Sequence, residues 1–129
     1  MISVPEHFEF LFTTDCHYSR PKVDRQTIII CVRGLGLMKG HPLRTESSEG
    51  LVPVPRCHFV FEGVTSSTRR LTPYLDAKLG VFGESYLETD ITSSGKPKGH
   101  EYVFEGRLDE PNAFVDWVIY ASSFKLEIP

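Results

Sequence analysis

A chain of 129 residues with a formal charge of −3 is the size of one domain and weakly acidic, which argues against nucleic acid as a partner, since phosphate binding needs a basic surface. Hydrophobic residues make up 40%, with nine Phe, five Tyr and one Trp, too many for a disordered chain and enough for a real core. No apolar run approaches the roughly 20 residues of a membrane helix, and Met1-Ile2-Ser3-Val4-Pro5-Glu6-His7 lacks the basic and long apolar regions of a secretory signal. A cytoplasmic chain away from membranes is therefore expected. Its cysteines, Cys16, Cys31 and Cys57, are odd in number and read as free thiols of a reducing compartment.

In chain order, His7 to Phe12 puts Phe8, Phe10 and Phe12 on one face and predicts a first strand. A polar turn region follows from Thr13 to Asp24. Thr27-Ile28-Ile29-Ile30-Cys31-Val32 is an unbroken β-branched run, the pattern of a central strand buried on both faces, with Cys31 as a small buried hydrophobe. Residues 34–55 read as a long irregular loop, within which Val52-Pro53-Val54-Pro55 is extended, because residues before proline avoid the α region.

The stretch Cys57 to Val64 holds Val60-Phe61-Glu62-Gly63, and His100 to Gly106 holds the same tetrapeptide as Val103-Phe104-Glu105-Gly106. Alternation places Phe59 and Phe61 on one face of the first strand, and Tyr102 and Phe104 on one face of the second. The rings belong in the core, the glutamates face water, and Gly63 and Gly106 are expected to end their strands.

Between the two copies, Thr72 as cap, Pro73 at the first position and Gly80 as terminator predict a short helix over Pro73–Leu79, with Leu75 and Leu79 on one side. Residues 81–91 read as a strand and 93–99 as a turn. Ala113 to Ala121 reads as a strand by its β-branched and aromatic content, with a helix as rival. Phe124-Lys125-Leu126-Glu127-Ile128 alternates cleanly, and the short Ser122-Ser123 link suggests that the last two strands form a hairpin. The expected fold is mainly β: one domain over 1–129, an antiparallel β-sandwich or barrel of about seven strands with at most one or two short helices.

Catalytic and metal motifs are scarce. Cys16-His17 and Cys57-His58 hold zinc-ligand chemistry, but neighbours on a strand point apart, and neither dipeptide has knuckle spacing. Asp15-Cys16-His17 contains nucleophile, base and acid types, yet consecutive residues do not line up as relay partners. Glu62 and Glu105 hold equivalent positions and are the carboxylate pair a hydrolase reading would use. Gly34 to Gly40 lacks the spacing of a phosphate loop. No metal, cofactor or catalytic set is expected.

The candidate binding residues are Trp117, Tyr120, Arg69 and Arg70. Core is the default for Trp117; exposed beside Tyr120 or Phe114 it would mark a binding hot spot. Arg69-Arg70 and Lys96-Pro97-Lys98 read as solvated loop charges. Phe61-Glu62-Gly63-Val64, in a leaderless β-rich chain of this size, is similar to small immunity proteins of bacterial toxin systems. The resemblance spans these four residues and implies a cytosolic protein that binds and blocks a cognate toxin. The expected function is a non-enzymatic protein-binding module, monomeric or homodimeric, with another protein as partner. A lipid- or sugar-binding β-domain and a hydrolase using Glu62 and Glu105 are the alternatives.

Overall fold

The computed structural model describes residues 1–44, 49–76 and 78–129. The chain is mainly β. Its strands are β1 (Ile2–Pro5), β2 (Leu11–Phe12), β3 (His17–Tyr18), β4 (Lys22–Asp24), β5 (Thr27–Leu37), β6 (Val52–Glu62), β7 (Ser66–Asp76), β8 (Val81–Phe82), β9 (Tyr86–Ile91), β10 (His100–Leu108), β11 (Ala113–Ala121) and β12 (Ser123–Ile128). Hydrogen bonds join them into one sheet ordered β1-β12-β6-β5-β3-β10-β11-β7-β8, with β2 and β4 also on β5 and β9 also on β7. The pairing of β3 with β10 is parallel, His17 and Tyr18 lying against Arg107 and Leu108. Among the described residues, no helix is long and apolar enough to cross a membrane.

The central-strand reading of Thr27–Val32 holds, for β5 pairs with β6 on one side and with β4, β3 and β2 in succession on the other. The expected burial on both faces does not hold. Ile28, Ile30 and Val32 are buried, Ile29 is half-buried and Cys31 is exposed. The region from Thr13 to Asp24 is therefore more than a turn: with β2 it forms one interrupted strand laid along β5. Pieces of two or three residues carry no periodicity, which is why the sequence does not announce them.

Two links bend the sheet. β6 runs into β7 through Gly63-Val64-Thr65, and β11 runs into β12 through Ser122. β6 pairs with β12 while β7 pairs with β11, both antiparallel. The four strands thus make one long ribbon with a corner, where the Ser122 N–H is shared between the Glu62 and Gly63 carbonyls at 3.0 and 3.2 Å. The expected β11–β12 hairpin is not formed, because the chain changes partner strand at Ser122 instead of turning back. Gly63 sits at the corner with φ +64°, where a Cβ would strike the Ser122 side chain.

The bend brings ring-bearing faces together. Phe59, Phe61, Tyr102 and Phe104 are all buried. Phe61 stacks on Phe104 at 5.8 Å, and Phe104 stacks on Trp117 at 5.2 Å. β6 and β10 are not neighbours in the sheet, so the Phe61–Phe104 contact crosses the core, whereas Phe104 and Trp117 stand opposite each other on the paired strands β10 and β11. The facing layers come from one sheet folding over itself, not from two separate sheets. Aromatic pairs of this geometry add about 0.5–1.5 kcal/mol each beyond the area they bury.

Three other expectations change. His7–Phe12 is not a strand: Glu6 and His7 take φ of 57° and 61°, a 3-10 turn covers Phe8–Phe10, and only Leu11–Phe12 is extended. That kink turns Phe8 inward against Tyr102 at 5.2 Å and Phe124 at 5.0 Å. The helix expected over 73–79 is strand up to Asp76 and turn from Lys78 to Gly80. Leu75 and Leu79 are exposed, so a helix there would have no apolar face to bury, while Pro73 fits the β ladder opposite Ala113. The loop expected at 34–55 is shorter, since β5 reaches Leu37 and β6 begins at Val52; its residues 45–48 lie outside the described ones. Val52–Pro55 is extended as expected. β12 covers β6 only from His58 to Glu62, so both prolines stand where β6 has a free edge.

Candidate functional site

The outward positions of β7, β10 and β11 alternate with the core positions. On β11 these are Phe114, Asp116, Val118 and Tyr120; on β10, Glu101, Val103, Glu105 and Arg107. Register sets Glu105 directly opposite Asp116, and Arg107 opposite Phe114. On the other side of β11, Thr72 lies opposite Phe114 and Arg70 opposite Asp116. The Asp76 carboxylate accepts the N–H groups of Lys78 and Leu79, a turn that returns β8 onto β7 and places Phe82 opposite Tyr74.

The result is an aromatic cluster on the outer surface. Phe114 lies 4.6 Å from Tyr74 and 5.7 Å from Phe82, and Tyr74 lies 5.1 Å from Phe82. The Arg107 guanidinium covers the Tyr74 ring at 4.5 Å and donates to the Tyr74 hydroxyl at 2.8 Å. Phe82 and Phe114 remain 45% exposed. Beside them opens a cleft of about 420 Å³, lined chiefly by Phe82, Phe114, Thr14, Thr72, Glu105 and Asp116. Thr14 donates from Oγ1 to Glu105 Oε1 at 3.0 Å, which fixes that carboxylate on the rim. Two ring faces, two hydroxyls and two carboxylates around an open cleft suit recognition of a group that is apolar along its length and polar or cationic at its tip.

A second cleft of about 240 Å³ lies beside the middle of β5 and β6, with Arg33, Arg56, His58, Cys31 and Asp109 in its lining. Arg33 is occupied by Asp109 at 2.8 Å, and His17 approaches the same carboxylate at 3.4 Å. Its one carboxylate is therefore already engaged.

The residues singled out in the sequence disperse. Trp117 is fully buried, and its Nε1–H donates to Ser67 Oγ at 3.1 Å. Arg69 and Arg70 are not loop charges; they lie on β7 and point to opposite faces. Arg69 is 4% exposed, its guanidinium 4.9 Å from the Trp117 ring centre and 2.5 Å from Asp90. It is held inside and is not offered to a partner. Arg70 is exposed. Tyr120 is half-buried and donates its hydroxyl to the Glu101 carboxylate, which raises the phenol's pKa.

Glu62 and Glu105 both face outward, but on strands that are not neighbours and with separate partners. Glu62 meets Lys125 at 3.4 Å, whereas Glu105 meets Thr14. Phe61 and Phe104, the residues just before them, fill the core between. Of the glutamates only Glu105 lines the aromatic cleft, and its neighbour there is Asp116, a residue that sequence reasoning missed. Nothing in a sequence states which residue of β11 stands opposite Glu105, so the register is the signal that was lacking.

No protein-family model, no curated protein and no solved structure matches this chain.

The Cys-His dipeptides are not assembled either. Among the described residues, no group of three or more His, Cys, Asp and Glu side chains is placed to hold a metal. Cys16 and Cys57 are buried, and Cys31 is exposed on the outer face of β5. Burial pushes the Cys16 thiol up to about 11 and the Cys57 thiol up to about 12, so neither forms thiolate near neutral pH. Iodoacetamide at mildly alkaline pH should therefore modify one thiol of the native protein, Cys31, with the other two reacting only after denaturation. Peptide mapping checks this, and rapid native labelling of Cys16 would contradict its burial.

Proposed function

We propose that this chain is a non-enzymatic protein-binding module of the inhibitor or immunity type, and that its docking face is the outer surface of β7, β8, β10 and β11. The observation that carries this reading is the exposed Tyr74–Phe82–Phe114 cluster with Arg107 stacked on it. Aromatic residues and arginine are the side chains that dominate binding energy at protein interfaces: the rings combine large area with few rotatable bonds, and the planar guanidinium stacks on rings while donating several hydrogen bonds. Exposed Val103, on the same face of β10 as Glu105, extends the apolar surface. The chain's charge of −3 favours a basic partner over an acidic one.

The test compares the intact chain with a Phe82→Ser/Phe114→Ser variant as baits in extract of the native source. Both rings are half-exposed, so the variant is expected to fold, and an unchanged circular dichroism spectrum checks it. The expected result is one stoichiometric partner retained by the intact chain and lost by the variant. A metabolite panel that raises the melting temperature, together with no stoichiometric partner, would replace this reading with the small-ligand alternative, which the cleft's volume otherwise favours.

A further inference from the structure

Glu105 and Asp116 are directly opposed across the β10–β11 ladder, on its solvent face. Like charges in that position repel, and opposite or neutral pairs stabilise a ladder better. Both carboxylates line the cleft whose wall is Phe82 and Phe114. Neither nearby cation is part of that lining. Arg107 lies at its border, 5.9 Å from the Phe114 ring centre, and is committed to Tyr74 through a hydrogen bond of 2.8 Å and a ring contact of 4.5 Å. Arg70, opposite Asp116 on β7, is exposed and outside the cleft's lining.

A carboxylate pair beside aromatic faces complements one kind of group, an alkyl stem that ends in a cation. The stem lies along the rings, the charge meets the carboxylates, and the ring faces attract the same cation. A neutral side chain of the same length would leave the carboxylates' repulsion unrelieved. We infer that the cleft between Phe82, Phe114, Glu105 and Asp116 holds a lysine or arginine side chain of the partner protein. This inference rests on the protein-binding reading above and adds the identity of the group recognised.

The experiment is an amide-shift titration of the full chain with three blocked tripeptides that differ only in a central Lys, Arg or Gln. The Lys and Arg peptides should move the amides of Glu105, Gly106, Phe114, Val115 and Asp116 and bind about tenfold more tightly than the Gln peptide. The variant Glu105→Gln/Asp116→Asn keeps the shape of both side chains, including the acceptor for Thr14. It should erase that preference and raise the melting temperature of the free protein by removing the repulsion. Equal responses to all three peptides would overturn the inference, as would shifts confined to the Arg33–Arg56 cleft or an unchanged preference in the variant. If that happens while partner capture still depends on Phe82 and Phe114, the docking face stands and only the basic side chain is lost. If capture is indifferent to those rings, both fall.

Discussion

Arg69→Ala is expected to cost about 4 kcal/mol, because removing one member of a buried ion pair leaves the other charged and unpaired. Arg69 bridges β7 to the edge strand β9, reaching Asp90 at 2.5 Å and Glu88 at 3.5 Å. The Asp90 side chain is only 10% exposed. It also accepts from Ser67 Oγ at 2.9 Å, and Ser67 accepts from the Trp117 indole, so the arginine closes a chain of hydrogen bonds that begins in the core. Loss of the guanidinium strands the Asp90 carboxylate and frees one side of β9. Urea unfolding should show a lower midpoint with little change in slope. Two companions give the result its meaning. Arg70→Ala, one residue along and pointing to water, should stay within about 0.5 kcal/mol of the parent. Arg69→Met/Asp90→Leu removes both charges and should recover much of the loss, since an apolar pair of similar volume can replace a buried ion pair at little cost. Equal effects of Arg69→Ala and Arg70→Ala would mean that the buried network contributes nothing particular.

The Arg69-Arg70 pair shows where sequence reading stops. Side by side in a polar stretch, two arginines look like solvated charge. Once Ser66–Asp76 is a strand, period two sends them to opposite faces, and burial follows. The stretch hides its strand because Thr72-Pro73 and Gly80 mimic helix punctuation, and local punctuation says nothing about which ladder is waiting. Here β11 offers Ala113 and Phe114 to Pro73 and Thr72, and tertiary pairing overrides the local signal.

The core was more legible. Phe59, Phe61, Tyr102 and Phe104 are placed by alternation alone, and all four are buried. Long strands with one wet face declare themselves, as β10 and β12 do. The β5 run was over-read, because Ile29 and Cys31 look as apolar as their neighbours and only the fold reveals that their side of the sheet lies open. The candidate site was least legible. Phe82 sits in a two-residue strand, Asp116 gains significance only from standing opposite Glu105, and Thr14 arrives from a loop ninety-one positions away in sequence. Each is a consequence of register, and register is decided by the whole ladder rather than by any window of residues.

The second large effect is expected at Gly106, the glycine of the second Phe-Glu-Gly copy. It does not end its strand, for β10 continues to Leu108. It is instead the point where the Thr13–Tyr18 segment presses onto β10. The Arg107 N–H donates to the Cys16 carbonyl at 2.9 Å, the Asp109 N–H donates to the Tyr18 carbonyl at 3.0 Å, and the Tyr18 hydroxyl donates to the Glu105 carbonyl at 2.7 Å. A Cβ on Gly106 would lie 2.6 Å from the Cys16 carbonyl oxygen and 2.6 Å from Tyr18 Cε2. Neither can give way easily. The carbonyl is backbone already held by Arg107, and the Tyr18 ring is fully buried against Phe59, Phe104 and Trp117. Gly106→Ala must therefore lift β3 off β10, and β3 is what joins β5 to β10 in the strand order. The expected cost is about 3 kcal/mol, near the upper end for overpacking, or a fall in melting temperature of about 10 °C. Gly63→Ala is the control. Its clash is with the Ser122 side chain, which Ser122→Gly removes, leaving only the cost of the positive φ. No such partner rescues Gly106, because the obstacle there is main chain. If Gly106→Ala melted with the parent protein, the close approach of β3 to β10 would have to be abandoned, and with it the placement of Thr14 on the rim of the cleft.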